Sequence, residues 1–265
     1  MQAGSRPVPA RAPDLPAGAA AGAVPLMSLC GIGKRFGSQT VLEGVDLDLF
    51  GGECLGLVAD NGAGKSTFSK IVSGAYLPDE GSIRLAGTPV RLSGPAEARA
   101  LGIEMVYQEL SLCDTIDVAG NLFLGREVVR HGFLAKRAMR AGARAMLDTL
   151  GIRIPDLRAK VARLSGGQRQ SIAIARAVSF APRVLLLDEP TSALAVAEVE
   201  AVLSLIRRVK AQGVAVLLIT HRLQDLFRVC DRIAFLYEGR KVGERLIGQT
   251  DLDEIVRLIV GGAPA

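Results

Sequence analysis

With 265 residues, 49% of them hydrophobic and 22% charged, the chain is long enough to bury a core as one domain or two closely packed lobes. No run approaches 18 uninterrupted apolar residues, which excludes a self-inserting membrane span and leaves any membrane link to another chain. The formal charge of +5 contains no block of five or more basic residues and aromatics total 4%, a balance that reads as dispersed charge on a solvated surface rather than a face for nucleic acid or an anionic membrane.

Residues 1–26 are mostly Ala, Pro and Gly, too poor in apolar side chains to offset their ordering entropy, and are expected to form a disordered tail. Prolines interrupt them, so they do not read as a secretory signal. Met27 opens the folded part, and a start of translation there would make the tail an artefact of start-site choice. Leu26–Ile32 and Val45–Leu49 read as strands, the second alternating strictly. Between them stands Phe36, a lone aromatic that is core or ligand contact.

Leu55–Val58 is a short apolar run followed by Ala59, Asp60, Asn61, Gly62, Ala63, Gly64, Lys65, Ser66 and Thr67, and then by a helical stretch from Phe68 to Val72. Strand, glycine loop and helix in that order are what a phosphate cradle requires. Backbone N–H groups wrap the phosphates, Lys65 reaches the terminal ones, and the Ser66 hydroxyl can take a magnesium ion. Ile83–Leu85 and Val90–Leu92 flank Gly87-Thr88-Pro89 as a hairpin. Ile103–Tyr107 is a further strand, ending at Gln108.

From Glu109 to about Ala181 the pattern turns helical. Lys136–Leu150 shows Ala138, Ala141, Ala145, Met146 and Leu150 near one face, with Gly151 as its C-cap. His131, in the polar bend before it, has no neighbour spaced to share a metal and reads as a solvated loop residue. Ser165 and Gln168 form a capping box, so a helix starts at Gly166 with its first N–H groups free to meet an anion. That helix runs through Ile172, Ile174, Ala175 and Val178. Val184–Leu187 is a strand apolar on both faces, with Asp188 and Glu189 at its end, where open α/β sheets bind ligands.

Ala197–Gln212 is an amphipathic helix with Val199, Val202, Leu203 and Ile206 inward, stopped by Gly213. Val214–Ile219 is another fully apolar strand, ending at Thr220 and His221. Leu223–Val229 reads as a helix, Ile233–Tyr237 as an edge strand, Glu238-Gly239 as a turn, and Thr250 as the cap of a last helix over Asp251–Val260. Cys30, Cys54, Cys113 and Cys230 lack metal-ligand spacing. Cys54 and Cys230 read as small buried hydrophobes, free thiols suited to a reducing compartment.

From about Leu29 to Gly261 the chain resembles the ATP-binding subunit of an ABC transporter, with seven short motifs in that family's order. Asp60–Thr67, Val106-Tyr107-Gln108-Glu109-Leu110 and Asn121-Leu122-Phe123-Leu124-Gly125-Arg126-Glu127 look most like the branch that energises import of ribose, xylose or fructose. The resemblance implies an α/β fold with a P-loop NTPase core on a mixed sheet, an antiparallel β subdomain and a helical signature subdomain at about 109–181. It implies ATP and Mg2+ as ligands, with Phe36 against adenine, Ala59–Thr67 around the phosphates, and Ser66, Gln108 and Asp188 on the metal. Glu189 would orient or deprotonate the attacking water, Gln108 would reach that water, and His221 would brace the γ-phosphate.

By the same resemblance, Ser165, Gly166, Gly167 and Gln168 cover the nucleotide of a second subunit, so a homodimer is expected. The implied partners are integral-membrane permease subunits and, indirectly, a periplasmic or extracellular sugar-binding protein, with no nucleic acid. The implied place is the cytoplasmic face of the membrane. Two departures stand out. Ala59 replaces the first loop glycine, which matters if that position needs positive φ, and Ala195 stands where many relatives carry aspartate. They keep a weakly catalytic nucleotide-binding coupler open as an alternative. A cytosolic ABC ATPase of DNA repair or translation is the other, opposed by the single cassette and the lack of sustained heptads.

Overall fold

The computed structural model describes residues 24–60 and 62–261. The tail expectation for residues 1–26 falls almost entirely outside that range. Two sheets carry the fold. Strands β1 (Met27–Phe36), β2 (Gln39–Leu49), β4 (Glu80–Leu85) and β5 (Thr88–Val90) form an antiparallel sheet in the order β2-β1-β4-β5. The larger sheet runs β12-β11-β3-β10-β9-β6, built from β3 (Cys54–Ala59), β6 (Ile103–Val106), β9 (Val184–Asp188), β10 (Ala215–Ile219), β11 (Arg232–Tyr237) and β12 (Arg240–Leu246). All its neighbours pair in parallel except β11 with β12.

β3 and β10 are buried along their whole length and β9 up to Leu187, which is why they read as unbroken apolar runs rather than alternating ones. One sheet face packs with α1 (Lys65–Val72) and the antiparallel sheet around Phe68, Ile71 and Leu57. The other packs with α5 (Gly166–Val178), α6 (Val196–Ala211), α7 (Leu223–Val229) and α8 (Leu252–Gly261). The remaining helices are α2 (Pro95–Ala100), α3 (Val118–Leu122) and α4 (Lys136–Thr149).

Several sequence expectations are corrected. β11 is not an edge strand: it lies between β3 and β12, and Arg240–Leu246, read as following a turn, is the edge. Glu238 and Gly239 both take positive φ, so the turn is tight and sends the chain straight back into pairing. The β4–β5 hairpin turns at Ala86 and Gly87 for the same reason, not over Gly87–Pro89. Helix α4 buries Met139, Ala143 and Leu147, and its Ala141 and Ala145 face solvent, because the longer side chains claim the interior. The last helix is capped by Asp251, whose carboxylate accepts from the Glu254 N–H at 2.7 Å, while Thr250 donates to the Glu254 side chain. Within the stretch expected to be helical there is a small hairpin, β7 (Val129–Arg130) with β8 (Phe133–Leu134), whose turn holds His131 and Gly132, both at positive φ.

Cys54 and Cys230 are free and buried, with sulfurs 3.6 Å apart. The Cys230 sulfur would lie 3.2 Å from any β-carbon on Gly56, and Leu226 would lie closer still, so this glycine lets α7 settle on β3.

Candidate functional site

β3 delivers the chain to the sheet's C-terminal edge, and the loop leaving it has the geometry of an anion cradle. Gly62 and Gly64 sit at φ 83° and 96°, a backbone path open to glycine. A β-carbon on Gly64 would fall 2.7 Å from Leu42 and 2.9 Å from the Val41 carbonyl, whereas Gly62 faces open space. Gly64 is also the N-cap of α1 and has no side chain with which to cap, so the first turn keeps free donors toward that space. Lys65 folds over the loop and donates to the carbonyls of Ala59 and Asp60. Ser66 is exposed beside it and Thr67 is half-buried. Asn61 lies outside the described residues.

Ala59 is the last residue of β3, is buried, and is not among the described residues with positive φ. Its methyl is accommodated, and the backbone penalty that a positive φ would bring does not arise.

Asp188 ends β9, two strands from β3. The β10 residue Ile219 pairs with Leu57 on one side and Asp188 on the other, which sets Asp188 about 10 Å across the sheet from Leu57, two residues before the end of β3. Burial, and then the neighbouring Glu189 carboxylate, push the Asp188 carboxyl above its ordinary value. Lys65, Lys70 and a hydrogen bond from Ser69 pull the other way. Two crowded carboxylates of this kind are stabilised by a cation between or beside them.

Glu189 takes φ 50°, and its N–H donates to the Ile219 carbonyl at 2.8 Å. Its carboxylate accepts from the Thr220 hydroxyl at 3.2 Å, the His221 N–H at 3.1 Å and His221 Nδ1 at 2.9 Å. An ionised carboxylate only accepts, so Nδ1 carries the shared proton and Nε2 is turned to other partners. The ends of β9 and β10 thus bring together two residues separated by 32 positions. Thr220, not singled out from sequence, completes this group.

Gln108 is exposed two residues beyond β6, the strand beside β9. Behind it a cavity of about 300 Å³ is lined by Tyr107, Leu110, Leu124, Arg176 and Phe180, among others. Phe36 closes β1 with its ring 45% exposed and packs edge-on against Tyr76 at 5.6 Å. Lys34 lies over the Phe36 ring at 5.5 Å. Tyr76 carries no sequence signal of its own, since it is paired only through the fold.

Ser165 caps α5 as expected, accepting from the Gln168 N–H while Gln168 accepts from the Ser165 N–H. The free donors expected at this tip are mostly taken. Besides that exchange, the Gly167 N–H donates to Glu198 at 3.1 Å, and the other Glu198 oxygen accepts from the Ala195 N–H. Glu198 therefore clamps α5 to the start of α6, a role invisible without the fold. Ala195 is exposed at the N-cap of α6 and supplies no side-chain acceptor. Ala195→Ser restores the missing half of this cap and is expected to stabilise the protein by about 1 kcal/mol, read as a melting point raised by roughly 2–4 °C.

Among the described residues no helix is long and apolar enough to cross a membrane, and no cluster of three or more His, Cys, Asp or Glu is placed to hold a metal. The Ser66 hydroxyl lies in the first turn of α1, Asp188 ends β9 beside Glu189, and Gln108 follows β6, the strand next to β9.

The family profile for ABC transporters matches residues 42–192. The xylose/arabinose import ATP-binding protein of Sulfolobus acidocaldarius is 42% identical over 238 residues, covering 90% of this chain and 95% of that one. The fructose import ATP-binding protein of Rhizobium meliloti is 45% identical over 226 residues, 82% of this chain and 87% of that protein. A ribose import ATP-binding protein of Rubrobacter xylanophilus is 45% identical over 237 residues, but the chain spans only 47% of its length. Among solved structures, a nucleotide-free ATP-binding cassette from an ABC transporter superposes with TM-score 0.75 at 23% identity over 89% of this chain and 95% of that one, a likeness of fold. A dimeric cassette in a post-hydrolysis state with ADP and Pi gives 0.70 at 25% identity over 83% and 98% of the two chains.

Proposed function

This chain belongs to the ABC transporter family, and from that membership we propose that it hydrolyses ATP to drive import of a simple sugar through partner permease subunits at the cytoplasmic face of the membrane. The observation that carries the chemistry is the meeting of the Lys65 loop, Asp188 and the Glu189–Thr220–His221 group at one edge of a parallel sheet. The sugar rests on the relatives, which are named for xylose/arabinose, fructose and ribose import.

In this reading Phe36 stacks on the adenine with the exposed part of its ring, which Tyr76 holds by an edge contact and which shares its surroundings with Lys34. The amides of Gly62–Thr67 and the Lys65 ammonium take phosphate charge. Ser66, Gln108 and Asp188 offer hydroxyl, amide and carboxylate oxygens, an all-oxygen set that suits magnesium, and the crowding of Asp188 against Glu189 favours a cation there. Magnesium held by them would neutralise charge on the β- and γ-phosphates. Glu189 accepts a proton from, or aligns, the water attacking in line. His221 braces the γ-phosphate through Nε2 when that nitrogen carries a proton, which requires the ring to be protonated on both nitrogens or Nδ1 to give up its donation to Glu189. In phosphoryl transfer positioning and charge supply most of the catalysis, and every group named here positions or neutralises.

The second nucleotide-binding subunit supplies Ser165–Gln168 over the phosphates. Glu198 already occupies the Gly167 N–H, so a phosphate arriving from the partner must share or displace that carboxylate. Closure on ATP and opening after hydrolysis then result from a γ-phosphate that binds the closed pair more tightly than the open one. The cavity behind Gln108 is the place for the permease loop. A weakly catalytic coupler is disfavoured, because Ala59 lies in extended geometry and costs the loop nothing.

The test is reconstitution of the chain with its permease in vesicles, supplied with the sugar-binding protein and ribose, xylose or fructose in turn. At least one sugar is expected to accelerate phosphate release and to accumulate inside. Release that no sugar alters would remove the import assignment while leaving the ATPase intact.

A further inference from the structure

The small hairpin of β7 and β8 serves none of the chemistry above, yet among the described residues it carries three exposed large hydrophobic side chains within six positions. Every residue from Val129 to Leu134 is exposed, with Phe133 at 79%, Val129 at 56% and Leu134 at 51%. Its geometry is well defined: Val129 pairs with Leu134 and Arg130 with Phe133 across a two-residue turn, and the Ala135 N–H closes the base on the Val128 carbonyl at 2.7 Å. Exposed aromatic and aliphatic side chains on an ordered hairpin mark a surface that meets something apolar.

Charge says what. From Val128 to Leu147 the sequence carries Arg130, Lys136, Arg137, Arg140 and Arg144 and no acidic residue. In a chain of net charge +5 this stretch alone accounts for as much, so the basic residues are less dispersed than their scattering along the sequence suggests. Beside the hairpin runs a groove of about 460 Å³ with Ile116, Leu124, Leu134 and Met139 among its apolar walls. Lys136, Arg140, Arg158 and Lys160 also line it, and among the described residues none of these four, nor Arg130 or Arg137, has an ion-pair partner. The two carboxylates that line it are already engaged: Asp117 caps Gly120 and Glu127 accepts from the Gly125 N–H.

The geometry points to a membrane-contact site, in which the Phe133 tip enters the headgroup layer of a bilayer and the surrounding cations bind anionic phospholipid. An apolar tip ringed by Lys and Arg is the arrangement by which a peripheral segment lies in such an interface. The groove alone would also suit an acidic amphipathic helix of a protein. Phe133 and Val129, however, stand free of it, and a bilayer accounts for tip and cations together. The site lies in the stretch between β6 and α5, shares no residue with the nucleotide loop, and does not depend on which solute is carried.

The chain contains no tryptophan, so Phe133→Trp reports on the tip alone. With phosphatidylglycerol–phosphatidylcholine vesicles and no permease, the purified chain is expected to sediment with the lipid. The emission of the Phe133→Trp variant should shift to the blue and be quenched by brominated acyl chains. Lys136→Glu/Arg137→Glu/Arg140→Glu should weaken binding about a hundredfold, since each surface cation contributes roughly fivefold, and Phe133→Asp should weaken it without touching those cations. Circular dichroism and ATP affinity, unchanged in both variants, exclude misfolding. Equal binding to pure phosphatidylcholine, binding without the blue shift, or retention only on vesicles that contain permease would each overturn the proposal. The last outcome would assign the surface to a protein partner.

Discussion

Glu189→Gln is expected to slow phosphate release by about two to four orders of magnitude while ATP affinity stays within a few-fold of the parent. Glutamine keeps the shape but only one oxygen, so it can still accept from His221, while its NH2 takes the place of the oxygen that faces Thr220, whose hydroxyl can turn to accept instead. What it loses is the charge and basicity that would draw a proton from water, and a positioned general base contributes about 10²–10⁴ in rate. Phosphate release under saturating nucleotide, beside binding of a fluorescent ATP analogue, separates the two effects. The slowed variant should also accumulate as a nucleotide-bound dimer on size exclusion. An undiminished rate would mean that another group activates the water.

The backbone at Glu189 sharpens this expectation. A non-glycine residue at φ 50° costs roughly 1–2 kcal/mol, and such strain persists where the surroundings insist on one side-chain direction. Here they do: the Glu189 N–H is fixed on Ile219 and its carbonyl accepts from Ser192, which aims the carboxylate at Thr220 and His221.

The parts of the fold legible in the sequence are those in which burial and local chemistry agree. Val184–Leu187 and Val214–Ile219 are apolar throughout because both their faces are covered, and the Ser165–Gln168 cap is written in four adjacent residues. Gly62, Gly64, Lys65 and Ser66 are legible for the same reason, since one short loop contains the whole cradle. The hidden parts depend on partners distant in sequence. Tyr76 gains meaning only from Phe36, Thr220 only from Glu189, and Glu198 only because α6 brings it to Gly167. Arg240–Leu246 has four charged residues and a glycine in seven, so nothing in its pattern announces a strand; β11 beside it makes it one. The buried face of α4 is displaced from the expected one because alanine is at home on either side of a helix, and the choice belongs to Met139 and Leu147.

Arg232→Met is expected to have the largest effect on stability. The guanidinium is 3% exposed and donates through Nε and Nη2 to the two oxygens of Glu53, at 2.8 and 3.0 Å. It also donates to Glu244 and, at 2.7 Å, to the Asp48 carbonyl of β2, and it lies over the Phe50 ring. One side chain of β11 thus joins the edge strand β12, the approach to β3 and the antiparallel sheet. Removing it leaves Glu53 and Glu244 buried together, with Lys241 their one remaining ion-pair partner among the described residues. Breaking a buried pair on one side costs about 3–5 kcal/mol, roughly a 10 °C fall in melting temperature for a chain of this size. The network need not be more stable than an apolar replacement, because taking charges out of water is itself costly. Hence Arg232→Met/Glu53→Leu/Glu244→Leu should recover most of the loss, and thermal unfolding of the single and triple variants reads this directly. A triple variant no better than the single one would mean that Arg232 acts through the Asp48 carbonyl and the Phe50 ring, with the ion pairs secondary. The difference bears on catalysis, since this junction anchors the start of β3, whose far end leads into the loop that holds Lys65.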